Sequence, residues 1–195
     1  MPSQTPRTTA LLVIDVQESF RQRPYYDPAP MPAFFDRCRA LVAGFEDAGL
    51  PVIRIIHVDG EGPFSKASGF AVPMHELAFT PAATFEKNAH SALVGTGLHP
   101  WLNAHGVSRL AVCGIRTEQC CETTTRNGSD LGFAVDYVTE ATMTWAMTTR
   151  AGRVVTPEEL RERTELVLAD RFATIVTVDE AIARAGDAAR SARAA

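Results

Sequence analysis

The stretch Ser108–Gly132, SRLAVCGIRTEQCCETTTRNGSDLG, decides the fold. Its opening, SRLAVCG (Ser108–Gly114), is a short apolar run of the kind that fills a strand buried on both faces. Glu118–Leu131 then reads as a helix closed by Gly132. A strand that passes into a helix is the unit of a parallel sheet. The pattern repeats on either side. Ala10–Asp15 (ALLVID) is another buried-strand run. Phe34, Cys38, Leu41, Phe45 and Ala48 recur at spacings of four and three, one apolar helix face, and Gly49 fits its stop. Pro51–His57 (PVIRIIH) reads as the second strand, Ala83–Lys87 as a short third, and Leu98–His105 as a short helix ending at Gly106. Val58–Pro81 holds many Gly, Pro and polar residues without a steady period; so long an irregular segment is often functional.

Beyond Gly132, Phe133–Val138 reads as a strand. Thr156-Pro157-Glu158-Glu159 matches a capping box with Pro at the first helical position and opens a helix to about Asp170. Thr174–Val178 makes a last strand and Asp179–Ala195 an Ala-rich terminal helix, frayed over roughly its final eight residues. Right-handed crossovers then predict a three-layer α/β/α fold with a five- or six-stranded, mostly parallel sheet. The 195 residues are expected to form one domain, 1–195. Ligands in such folds sit beyond the carboxyl ends of the strands.

Composition narrows the function. Apolar residues make up 46 % and charged residues 22 %, a globular mix. The net charge of −4 argues against a nucleic-acid partner. No apolar run approaches the roughly 18–20 residues that span a bilayer, so no membrane partner is expected. MPSQTPRTTA lacks the apolar core of a signal peptide, which predicts a cytoplasmic protein. The four cysteines fit that compartment: Cys120 and Cys121 are adjacent, and no CxxC occurs.

Three polar residues stand at the ends of the predicted elements. Asp15 closes ALLVI, where a carboxylate either caps the next turn or faces a ligand. Cys120 follows SRLAVCG. With Thr117 as N-cap it falls near the third helical position, where the helix N-terminus lowers a thiol's pKa and free N–H groups can hold an oxyanion. Equally, it could be a small buried residue. Lys87 ends its strand. Alone it would be a solvated lysine; with Asp15 and Cys120 it supplies the cation a thiolate nucleophile needs. Cys38, Cys113 and Cys121 read as packing.

LLVIDVQESF (Leu11–Phe20), FEKNAHSAL (Phe85–Leu93) and VCGIRTEQCCETT (Val112–Thr124), with GFAVDYVTEAT (Gly132–Thr142), resemble the isochorismatase-like cysteine hydrolases. The resemblance is to the amidohydrolase branch, with N-carbamoylsarcosine amidohydrolase and related ureide and amide hydrolases. It implies a six-stranded sheet and a catalytic triad of Asp15, Lys87 and Cys120. It also implies a cis peptide at Ile115–Arg116 and an oxyanion hole from the backbone N–H groups of Arg116 and Cys120. No cofactor is implied, and the family assembles as homodimers or homotetramers. The position of Arg116 is commonly small in relatives, the residue after the nucleophile is Cys121 rather than valine, and Glu140 stands where Asp is common.

The activity so implied is hydrolysis of a linear C–N bond in a small-molecule amide or ureide through a thioester. Phe20, Phe64, Arg116, Thr117 and Trp145 are the candidate substrate-binding residues, with plain core as the other reading of Phe20 and Trp145. Arg116 either anchors a substrate carboxylate or bridges Glu118, Glu140 or a neighbouring subunit. No metal is expected: nicotinamidases carry an Asp-x-His metal arrangement, whereas this chain offers only His57 and Asp59, and His75, His90, His99 and His105 form no ligand-like cluster. The alternatives are a nicotinamidase-type amidase with an unrecognised metal site and a scaffold that has lost turnover.

Overall fold

The computed structural model describes residues 8–194, so the expectations placed on residues 1–7 and on Ala195 lie outside it. Its elements run β1 (Thr8–Ile14), α1 (Met31–Asp47), β2 (Val52–His57), β3 (Ala83–Lys87), α2 (Leu98–Ala104) and β4 (Val107–Ile115). They continue with α3 (Glu122–Asp130), β5 (Ala134–Met143), β6 (Met147–Thr148), β7 (Val154–Val155), α4 (Pro157–Leu168), β8 (Thr174–Ile175) and α5 (Val178–Ala194). Six strands form a parallel sheet in the order β3-β2-β1-β4-β5-β8.

The alternation of side chains across β1 builds both faces. Leu11 and Val13 pack on Phe34, Cys38, Leu41 and Phe45 of α1 and on Ala181 and Ala185 of α5. Ala10, Leu12 and Ile14 point the other way, toward Leu98 and Leu102 of α2. All five of these β1 residues are buried. Each large aliphatic side chain contributes roughly 2 kcal/mol by leaving water. A strand buried on both faces needs a continuous apolar run, which is why ALLVI carries no alternation.

Several boundaries differ from the sequence reading, and one strand pair is new. β5 extends to Met143 rather than Val138, through Thr139, Glu140 and Thr142, whose polarity hid it. Its pairing is interrupted: Val112 faces Tyr137, but Gly114 faces Thr142. β8 stops at Ile175 because Thr177 begins the next helix, accepting from Glu180 N–H at 3.2 Å while Glu180 Oε2 accepts from Thr177 N–H at 2.9 Å. A short antiparallel pair, β6–β7, had no clear sequence signal. The capping box at Thr156 and Glu159 forms as expected.

The strand order reverses direction between β1 and β4, and such a switch point leaves a crevice at the carboxyl ends of the two strands. One glycine sets how closely they approach. Gly114 has φ +124°, and a Cβ there would lie 2.0 Å from the Ile14 carbonyl oxygen. Gly114→Ala is therefore expected to cost on the order of 3 kcal/mol or more. A thermal melt checks it; a variant as stable as the parent would show that the strands can part.

Candidate active site

Four strand ends meet at this crevice. Asp15 is the first residue beyond β1. Its N–H donates to the Ile55 carbonyl of β2 at 3.0 Å, and its φ of +51° turns the chain out of the sheet. Gln17 ties the same turn to β2, donating to the His57 carbonyl at 3.0 Å and accepting from His57 N–H at 2.7 Å. Lys87 ends β3 in register with His57 of β2 and reaches past it toward β1. Beyond β4, the Ile115–Arg116 peptide is cis, and Thr117–Cys121 forms a single π-helical turn ahead of α3. Cys120 lies in that turn.

Lys87 is the centre of the arrangement. Its Nζ lies 2.8 Å from Asp15 Oδ2, 2.9 Å from His57 Nδ1, 3.2 Å from the Ala89 carbonyl oxygen and 3.3 Å from Cys120 Sγ. The ammonium and the Asp15 carboxylate are both fully shielded from solvent. Burial alone would lower the lysine's pKa; Asp15 and Cys120 more than offset it, so it lies above its ordinary value. Burial raises the Asp15 carboxyl above its ordinary value, and Lys87 and a hydrogen bond from Cys120 limit the rise.

The thiol departs from expectation. Burial, then the Asp15 carboxylate, hold the Cys120 pKa far above normal, with Lys87 only partly opposing them. A helix N-terminus was expected to lower it, but Thr117 is not an N-cap: its hydroxyl pairs with Thr142 Oγ1 at 2.8 Å. The resting group is thus a neutral thiol beside a carboxylate, a nucleophile that needs its base.

Cys120 and Asp15 open onto a cavity of about 230 Å³. Phe20 and Phe64 line it as expected, in edge-to-face contact at 5.0 Å. The other three candidates lie off the lining, and for Trp145 and Arg116 the structure matches the second of the two readings, plain core and a bridge to Glu118. Thr117 is fully buried away from the cavity. Trp145 lies behind the wall, packed on Phe20, Tyr25 and Tyr26, with Nε1 donating to the Asp27 carbonyl. Arg116 is buried and committed: Nε lies 3.2 Å from Glu118 Oε1, its guanidinium donates to Thr144 Oγ1 and the Trp145 carbonyl, and it sits over the Tyr25 ring. It braces the loop instead of facing a ligand. Glu140 is engaged elsewhere, accepting from the Val178 N–H of α5.

Arg23, Tyr25, His57, Asp59, His90 and Gln119 complete the lining. His57 and His90, 33 residues apart in sequence, stack with ring centroids 6.3 Å apart, and His90 Nδ1 lies 3.8 Å from Cys120 Sγ. Ligand atoms of Asp15, His57 and Cys120 fall within 4.8 Å of one another. That set suits an ammonium better than a metal. Lys87 Nζ already touches all three, and His57 Nε2 is taken by Asp59 Oδ1 at 2.8 Å. A cation among them would meet the lysine's charge at close range.

This geometry is accompanied by clear relatives. The isochorismatase domain family model matches residues 9–180, and the chain belongs to that family. It is 26 % identical over 177 residues to the isochorismatase family protein YrdC of Bacillus subtilis, covering 89 % of this chain and 94 % of that one. It is 38 % identical over 100 residues to Nicotinamidase 3 of Arabidopsis thaliana, covering 51 % of this chain and 45 % of the relative. A solved structure from Chromobacterium violaceum, described as of the isochorismatase family, superposes with a TM-score of 0.83 at 26 % identity. That match covers 96 % of this chain and 100 % of the other. The fold is the isochorismatase-like one.

Because the Arg116 and Glu118 side chains are both largely shielded from solvent, Arg116→Ala leaves a carboxylate without its cation. Such a loss costs about 3–5 kcal/mol. Melting curves should drop accordingly, and turnover should fall alike for anionic and neutral substrates. A variant impaired only on anionic substrates would instead make Arg116 a substrate anchor.

Proposed function

We propose that this chain is a cysteine hydrolase that cleaves a linear C–N bond in a small amide or ureide. The observation that carries the reading is one buried ammonium held 2.8 Å from a carboxylate and 3.3 Å from a thiol, with the acid and the thiol both on a small cavity. A thiol of raised pKa beside a buried carboxylate suits general-base activation at the moment of attack. Asp15 takes the Sγ proton as Cys120 attacks the carbonyl carbon. The tetrahedral intermediate collapses as the C–N bond breaks, and Asp15 returns the proton to the leaving nitrogen. Water, deprotonated by Asp15, then attacks the thioester. The acid is released, and the proton returns to Sγ.

Lys87 keeps Asp15 ionised in its buried setting and offsets negative charge on sulfur. The N–H groups of Arg116 and Cys120 have no carbonyl partner outside their own turn among the described residues, which leaves them for the oxyanion. Each such donor is worth about 3 kcal/mol in the transition state. The likeness to a nicotinamidase, an amidase by name, supports amide chemistry. The cavity volume favours small substrates over polypeptides.

Ammonia release across a panel of primary amides and ureides tests the proposal. Cys120→Ser should abolish it, whereas Cys121→Ser, whose thiol is fully buried in packing, should keep a sizeable fraction. The reverse pattern would place the nucleophile at Cys121. Chelators should leave the rate unchanged, because Lys87 holds the place a metal would take.

The pH profile follows from Asp15. The base form is required, so kcat/KM should fall as pH drops through the Asp15 pKa. Burial raises that pKa, so the acid limb should lie above the ordinary Asp value of about 3.9. An acid limb at or below that value would mean that another group is the base.

A further inference from the structure

The buried charges at this site already have opposite charges: Lys87 faces Asp15 and Arg116 faces Glu118. The half-exposed Asp59 carboxylate accepts a hydrogen bond from His57 Nε2. Arg23 is different. It is exposed, lines the cavity, and has no ion-pair partner among the described residues. It is also the one arginine or lysine on the lining.

Arg23 is held in place without being neutralised. It follows the short helical turn Glu18–Gln22, and its backbone N–H donates to the Phe20 carbonyl at 3.0 Å. Its guanidinium carbon lies 5.5 Å from the Tyr25 ring centroid. Tyr25 in turn packs on buried Trp145 at 5.6 Å and carries the Arg116 guanidinium at 4.8 Å. The platform under Arg23 is therefore anchored to the core. Stacking on an aromatic face orients a guanidinium and leaves its N–H edge free for a planar, two-oxygen acceptor.

The geometry points to Arg23 as the binding group for a substrate carboxylate, which makes the substrates small amides or ureides that carry one carboxylate. The scissile carbonyl lies at Cys120 and the carboxylate at the mouth, against Arg23 and Tyr25. A single guanidinium fork matches the two oxygens of a carboxylate. The cavity, about 230 Å³, places Arg23 and Cys120 on one lining. This assignment rests on Cys120 being the nucleophile.

Alkylation of Cys120 tests both statements separately and needs no known substrate. Iodoacetate and iodoacetamide have nearly the same shape and differ in charge. Their rates at Cys120 are read by mass spectrometry of the intact protein, and Cys120→Ser reports any reaction at the other cysteines. The ratio of the two rates cancels any general change in the thiol. In Arg23→Gln the iodoacetate-to-iodoacetamide ratio should fall roughly two- to fivefold, the size of an exposed charge contact. Arg23→Lys should keep part of it, and added salt should erode the parent ratio toward that of Arg23→Gln. Melting curves should match the parent, since Arg23 is exposed. An unchanged ratio in Arg23→Gln, with Cys120 still alkylated, overturns the carboxylate assignment alone. Ammonia release from the amide and ureide panel that survives Cys120→Ser overturns the nucleophile and the assignment with it.

Discussion

The structure of the site depends on one buried ion pair, Lys87 with Asp15. An isolated ammonium or carboxylate in this interior would be too costly to keep. Together, 2.8 Å apart and with His57 Nδ1 and the Ala89 carbonyl as further acceptors for the lysine, they are sustained as ions. The pair also sets positions. Lys87 comes from an edge strand and Asp15 from the centre of the sheet, with His57 on the strand between them. The lysine thus fastens three strand ends across the crevice. Cys120, brought in by the turn after β4, completes its coordination.

The same interior explains why the thiol is not a thiolate at rest. Near Sγ the ammonium favours negative charge, while burial and the Asp15 carboxylate oppose it, and the opposition wins. A resting ion pair of Asp15 and Lys87 with a neutral thiol leaves the pocket without net charge from these three groups. Charge separation is deferred until a carbonyl is in reach. The close approach of Ile14 and Gly114, which only a glycine permits, holds the ends of β1 and β4 together, and the ligand atoms of Asp15, His57 and Cys120 lie within 4.8 Å of one another.

The buried strands and the three polar residues at their ends were legible because they rest on local patterns. Continuous apolar runs mark two-faced strands, and a charged residue that terminates such a run has few places to go. The parts that are not legible depend on tertiary detail. Arg116 finds Thr144 and Trp145, 28 and 29 residues away, and no spacing rule reports that. His57 and His90 carried no motif between them. They meet because β2 and β3 pair in register and place Lys87, and the loop after it, beside the end of β2. At the thiol, burial and the Asp15 carboxylate outweigh any helix-terminus effect, and neither can be read from the local sequence. Arg23 and Tyr25 lie in a loop with no periodicity, and their role shows only once the cavity exists.

The two arginines around Tyr25 show how the charge is divided. Arg116, on the inner side, is desolvated and carries its own counter-charge in Glu118, so it adds rigidity without drawing anions inward. Arg23, at the mouth, is solvated and has no ion-pair partner among the described residues. A free cation beside Cys120 would stabilise the thiolate but also bind any small anion there and block the carbonyl's approach. A free cation at the mouth avoids that conflict. It can hold a substrate's charge in partly aqueous surroundings, where desolvation is small, while the reacting amide, which is neutral, enters the dry end. The gradient from paired interior to unpaired rim thus orients a substrate by its polarity before any contact with the thiol is made.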